Sequence, residues 1–257
     1  MRGLKNLLIG SFMRAYAPQM ADAIEPEPRN YESFNAFFTR ALRADARPAD
    51  PDPRRIVSPC DGTLSLAGRT RGTLLLQAKS HDYTLEALLA AQSDWVARLA
   101  GGLFATVYLA PYNYHRVHMP LAGRLCAAWH VPGRLFSVNQ ATAARVPRLF
   151  ARNERVVCAF EGESGPFVLI LVGALFVGSM STVWHGEVTP ARRRAGTRSL
   201  APRAGAQLQL PRGAELGRFN MGSTVILLLP PGVARWDESL QPGATLRVGQ
   251  GLGTLVS

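Results

Sequence analysis

Lysine is nearly missing from this 257-residue chain: Lys5 and Lys79 are the only two among 29 basic residues. A lysine Schiff base therefore has almost no candidates. Cysteine is scarce as well. Cys60, Cys126 and Cys158 are odd in number and widely spaced, which argues against a disulfide framework or a CxxC metal site and fits a reducing, cytoplasmic setting. No run of 18 uncharged apolar residues occurs, so no segment reads as a membrane-spanning helix. Acidic residues number only 18, leaving a net charge of +11 and a preference for anionic partners, either nucleic acid or an acidic lipid surface. HExxH, P-loop and Rossmann glycine patterns are absent. So is the G-x-S-x-G elbow of the serine hydrolases, since the sequence around Ser223 reads Asn220-Met221-Gly222-Ser223-Thr224.

What is present describes a globular chain, 47% hydrophobic and 18% charged. Residues 1–20 place Leu4, Leu7, Leu8, Phe12, Ala15 and Tyr16 at helical spacing, with Arg2, Lys5 and Arg14 around that stripe. Such a helix suits a membrane interface. A core-packing helix and a signal peptide are the competing readings; Gly10, Ser11 and Arg14 interrupt the apolar run that the latter needs. A second helix is predicted over Tyr31–Arg43, with Phe34, Phe37, Phe38, Ala41 and Leu42 on its apolar face.

From Ile56 the character shifts to short apolar runs broken by Gly and Pro: 56–57, 64–66, 74–76, 106–109, 156–160 and 168–172 read as strands. One helix is predicted to interrupt them, from Thr84 to Leu99, and the Arg/Gly/Ala stretch 191–206 reads as an exposed excursion. The expected class is α+β, with N-terminal helices followed by a mostly antiparallel β body. The expected division is a helical, membrane-associating segment over 1–48 and a β-rich catalytic domain over 49–257.

Three places could carry chemistry. Ser58-Pro59-Cys60-Asp61-Gly62-Thr63 sets a carboxylate in a tight turn. Tyr112-Asn113-Tyr114-His115-Arg116-Val117-His118 holds two histidines three apart, suited to proton transfer near neutrality or to structural bonding. Met221-Gly222-Ser223-Thr224 precedes an apolar run and, read alone, is a turn leading into a core strand. A carboxylate, an imidazole and a hydroxyl are the components of an activated nucleophile, though any chain of this length contains all three.

Across nearly its whole length the sequence resembles the pyruvoyl-dependent phosphatidylserine decarboxylase proenzymes of bacteria. The resemblance runs through YESFNAFFTRALRADARP (31–48), SPCDG (58–62), APYNYHRVHMPLAG (110–123), VPGRLFSVN (131–139), PRLFARNERVVC (147–158), LVGALFVGSMSTVW (171–184) and GAELGRFNMGSTVILL (213–228). Met221 stands where the family usually has Leu, a swap that conserves volume.

The resemblance implies a self-processing triad of Asp61, His118 and Ser223, cleavage between Gly222 and Ser223, and conversion of Ser223 into a pyruvoyl group that forms a Schiff base with the substrate amine. It implies neither metal nor PLP, and gives His115 a substrate contact or a proton-donating role. Large (1–222) and small (223–257) chains would form a heterodimer, and two such heterodimers could pair further. The implied partners are phosphatidylserine and an anionic membrane surface, at the cytoplasmic face, with no nucleic acid. Rival readings are an uncleaved serine hydrolase, a basic nucleic-acid binder without a reader motif, and a pyruvoyl decarboxylase of soluble amino acids.

Overall fold

The computed structural model describes residues 2–78, 81–175, 179–188, 196–202, 207–220 and 223–256. An N-terminal helix, Arg2–Tyr16, is followed by a short helix, Phe34–Phe38, and then by strands joined almost throughout as antiparallel pairs. The α+β expectation holds.

The largest sheet has nine strands among the described residues. At its middle, Ser223–Leu229 lies between Leu103–Leu109 and Gly165–Gly173, in register from Ser223↔Leu109 to Leu229↔Leu103 on one side and from Ser223↔Gly173 on the other. Gly62–Arg69 extends the sheet beyond Leu103–Leu109, while Arg155–Gly162 and Gly123–Val131 extend it beyond Gly165–Gly173. Every residue from Ser223 to Leu229 is buried. An antiparallel strand with one wet face would alternate; this one is apolar on both faces because both are covered. Its five large aliphatic residues each contribute about 2 kcal/mol of burial, as an upper estimate.

The predicted helix over 84–99 is two helices, Leu85–Leu88 and Ser93–Leu99. Ala90 and Ala91 sit at φ 55° and 59°, in the left-handed region, and break the run. The break lets Leu85, Leu88, Leu89, Val96 and Leu99 all reach the core. The predicted helix over 31–43 is likewise short. Ser33 caps it by accepting from the Ala36 N–H, and it ends after Phe38. The chain then turns so that Leu42 bridges Ala23 and Arg40 points inward. Most of the 191–206 stretch lies outside the described residues, but Arg198–Ser199 pairs with the Gly123–Val131 strand.

The N-terminal helix has two unlike faces. Phe12 meets Phe34, Phe37 and Phe38 at ring-centroid distances of 5.4, 5.8 and 5.9 Å. Leu4, Leu7 and Leu8 point away, 61%, 60% and 49% exposed.

Candidate active site

Sheet register gathers Asp61, Ser223 and, through Ala110, His115 at one end of the central strands. Thr63 pairs with Tyr108, Tyr108 with Thr224, and Thr224 with Val172. The residues just beyond that row are Asp61-Gly62, Leu109-Ala110, Ser223 and Gly173. Gly62 is required here because a Cβ would drive into the Tyr108 carbonyl.

Asp61 is buried and fully engaged. Its carboxylate accepts from Arg47 Nε at 3.0 Å, from Arg47 Nη2 at 2.7 Å and from the Val248 N–H at 2.9 Å. Arg47 also donates to Asp22 at 2.8 Å. Burial alone would lower the Arg47 guanidinium, but the hydrogen bonds to both carboxylates outweigh it and raise its pKa. The hydrogen bond from Arg47 in turn holds Asp22 below the usual carboxylate range. Arg47 lies within the 31–48 motif but was not singled out there as part of this site.

His118 ends the Arg116–His118 strand, and its N–H donates to the Pro59 carbonyl at 2.7 Å, which ties it to the Asp61 turn. Nδ1 lies 2.8 Å from the Gly213 carbonyl, which can only accept, so Nδ1 carries the proton. Nε2 keeps its lone pair and accepts from Tyr114 Oη at 3.1 Å. Burial pushes the imidazole below its ordinary pKa, so it is neutral near pH 7. That is the form a general base needs.

His115 is completely buried, stacked on Phe38 at 4.1 Å between ring centroids, with Nε2 donating to the Ala110 carbonyl at 3.1 Å. Its Nδ1 has no partner among the described residues. Burial first, and then the Arg40 charge, push its pKa down to about 3. Ala110 follows Leu109, the sheet partner of Ser223, so His115 belongs to the same edge.

Ser223 is fully buried, and its Oγ makes no hydrogen bond among the described residues. An unmet buried hydroxyl costs about 1–3 kcal/mol and calls for a reason. Gly222 and Met221 lie outside the described residues. No hydrogen bond joins Asp61, His118 and Ser223 directly: Arg47 takes the carboxylate, and Gly213 orients the imidazole. His130, elsewhere, makes a buried 3.0 Å contact with Glu154.

A family model described as phosphatidylserine decarboxylase matches residues 34–254. Proteins named phosphatidylserine decarboxylase proenzyme are similar over nearly the whole chain. The one from Azotobacter vinelandii is 50% identical over 97% of this chain and 87% of its own length. That from Methylococcus capsulatus is 49% identical over 97% and 86%, and that from Coxiella burnetii (strain RSA 331) 48% identical over 98% and 88%. Asp61, His115, His118 and Ser223 all lie inside the matched span, and the chain therefore belongs to the phosphatidylserine decarboxylase family.

Proposed function

We propose that this chain cleaves itself between Gly222 and Ser223, and that the product decarboxylates phosphatidylserine to phosphatidylethanolamine at a membrane surface. The observation that carries the reading is Ser223: a buried hydroxyl without a partner among the described residues, first residue of the central strand, at the strand end shared with Asp61 and with His115 through Ala110, and with His118 tied to the Asp61 turn through Pro59. An orphaned hydroxyl in that position fits a precursor of a covalent group better than a residue kept for packing.

His118 Nε2 takes the proton from Ser223 Oγ, exchanging its present partner Tyr114 for the serine. Oγ attacks the Gly222 carbonyl carbon, and the peptide C–N bond breaks as an ester forms. Loss of the Ser223 α-proton expels the Gly222 carboxylate and leaves dehydroalanine. Tautomerisation and addition of water release ammonia and leave a pyruvoyl ketone. Asp61, paired with Arg47, lies near enough for its carboxylate to favour the imidazole as it becomes cationic. The pyruvoyl ketone, once present, supplies an electron sink for the substrate's α-carbon as CO2 departs. His115, held neutral with a free Nδ1 lone pair, is better suited to accept a hydrogen bond from the substrate amine than to donate a proton. Purified protein given phosphatidylserine micelles should release CO2 and phosphatidylethanolamine in equal amounts; a fully cleaved preparation that releases neither would overturn the reading.

Because burial lowers the His118 pKa from its ordinary 6.5, its base form persists on acidification. Cleavage of newly folded chain should stay level from pH 8 to below 6.5 and decline only at lower pH. Stopped aliquots resolved by mass would show this, and a midpoint above 6.5 would contradict the assignment.

The outward Leu4, Leu7 and Leu8 beside Arg2 support peripheral attachment to anionic lipid, and the three free cysteines fit a cytoplasmic face. Changing Leu4, Leu7 and Leu8 to Ser leaves the Phe12 contacts in place. It should weaken sedimentation with phosphatidylglycerol-containing vesicles at least about tenfold, since each leucine contributes about 1 kcal/mol or more when its exposed half is buried. Unchanged sedimentation would remove this helix from the interface.

A further inference from the structure

Arg40 is 3% exposed and has no carboxylate partner among the described residues. Its Nη2 donates to the Tyr112 carbonyl at 3.3 Å, while Nε and Nη1 are buried and make no hydrogen bond among the described residues. The guanidinium lies 6.0 Å from the centre of the Phe37 ring, and its charged or titratable neighbours are Tyr31, Asp61, Arg47, Tyr114 and His115. Neither carboxylate of this region is free for it. Asp61 is taken by Arg47, and Glu215 is taken by Arg116 at 2.8 Å. A buried cation without a counter-charge is among the most costly arrangements a fold can hold. The unmet Nε–H and Nη1–H point off different edges of the planar guanidinium, so an anion oxygen meets either of them in a single charge-assisted hydrogen bond.

We propose that Arg40 is the binding residue for the phosphodiester anion of the substrate. This rests on the phosphatidylserine reading above. Two anions of that substrate could pair with a guanidinium, and the chemistry separates them. The carboxylate loses its charge as CO2 leaves, so an ion pair to it would stabilise the ground state over the transition state and slow the step. The phosphodiester keeps its charge throughout, so an ion pair to it binds without opposing the reaction. The place suits this role: the Arg40 charge acts on His115, and a bound anion would offset it. The guanidinium is closed off, so entry requires the turn carrying Tyr112, whose side chain is exposed, to give way.

The probe is sn-glycero-3-phosphocholine, a soluble phosphodiester with neither a carboxylate nor a primary amine. It should raise the Tm of the self-cleaved wild-type protein by a few degrees at saturation. Arg40→Met should melt at or above the wild-type Tm without ligand, because an unpaired buried charge is gone, and should show no shift with the probe. Its KM for dioctanoyl-phosphatidylserine should rise about 10- to 100-fold with kcat within about threefold, the loss expected for a charged hydrogen bond. Should Arg40→Met fail to fold, Arg40→Gln carries the same two comparisons. The Tm arm needs no turnover, so a probe shift that vanishes with Arg40 supports the site even if phosphatidylserine proves not to be the substrate. A wild-type Tm that the probe does not move overturns the proposal, as does an equal shift in both proteins. A loss of kcat at unchanged KM overturns it too, while a rise in KM accompanied by a rise in kcat overturns it and assigns Arg40 to the carboxylate.

Discussion

Ser223→Ala is expected to remain a single 257-residue chain with no decarboxylation above background. The structure makes this a clean test, because the hydroxyl removed holds nothing together. Ser223 Oγ has no hydrogen-bond partner among the described residues, and the residue is fully buried between the Leu109 and Gly173 positions of its neighbouring strands. Replacing an unmet buried hydroxyl by hydrogen should leave stability unchanged or raise it by about 1 kcal/mol. Tm and circular dichroism should therefore match the wild type while cleavage and activity vanish together. A cleaved or active Ser223→Ala protein would contradict the assignment, and so would a collapse of the fold.

His118→Asn should slow cleavage by about 10²- to 10⁴-fold, the range expected when a positioned general base is lost. Asparagine can still donate to the Gly213 carbonyl and so preserve the local backbone, which now depends on the 2.8 Å bond from Nδ1. His115→Asn is the matched control. It should cleave at near the wild-type rate yet turn substrate over about 10- to 100-fold more slowly, as expected for one lost hydrogen bond to a polar substrate group. Quenched time courses followed by mass separate the two steps. Equal cleavage rates in His118→Asn and wild type would remove His118 from processing.

The apolar runs 156–160 and 168–172 were legible as strands because each is short, apolar throughout and bounded by breakers, and both lie in the central sheet. The helix over 84–99 was not legible as two. Ala90-Ala91 is strong helix-forming sequence, and only the demand that Leu89 and Val96 both reach the core forces the left-handed pair. Asp61, His115, His118 and Ser223 stood out through the family motifs around them. Arg47 and Arg40 lie within the 31–48 motif but were not singled out there, because what defines each is its partners or their lack: Asp61 is 14 residues from Arg47, and the Tyr112 carbonyl 72 from Arg40. Register, too, was hidden. That Thr63, Tyr108 and Thr224 share one row follows from pairing across distant strands, and this row brings the acid turn to the serine.

A break at Gly222–Ser223 would leave a small chain of 257 − 222 = 35 residues. That chain begins with the central strand, paired on both sides, and contributes Gly251–Leu255 to a second sheet, so it should stay bound after the cut. Intact mass under denaturing conditions is the most direct measurement. Two chains are expected, of 222 and 35 residues, the smaller lacking a free amino terminus and lighter than the plain 223–257 peptide by the mass of one ammonia. One full-length chain that retains Ser223 in a protein that nevertheless decarboxylates phosphatidylserine would contradict the account.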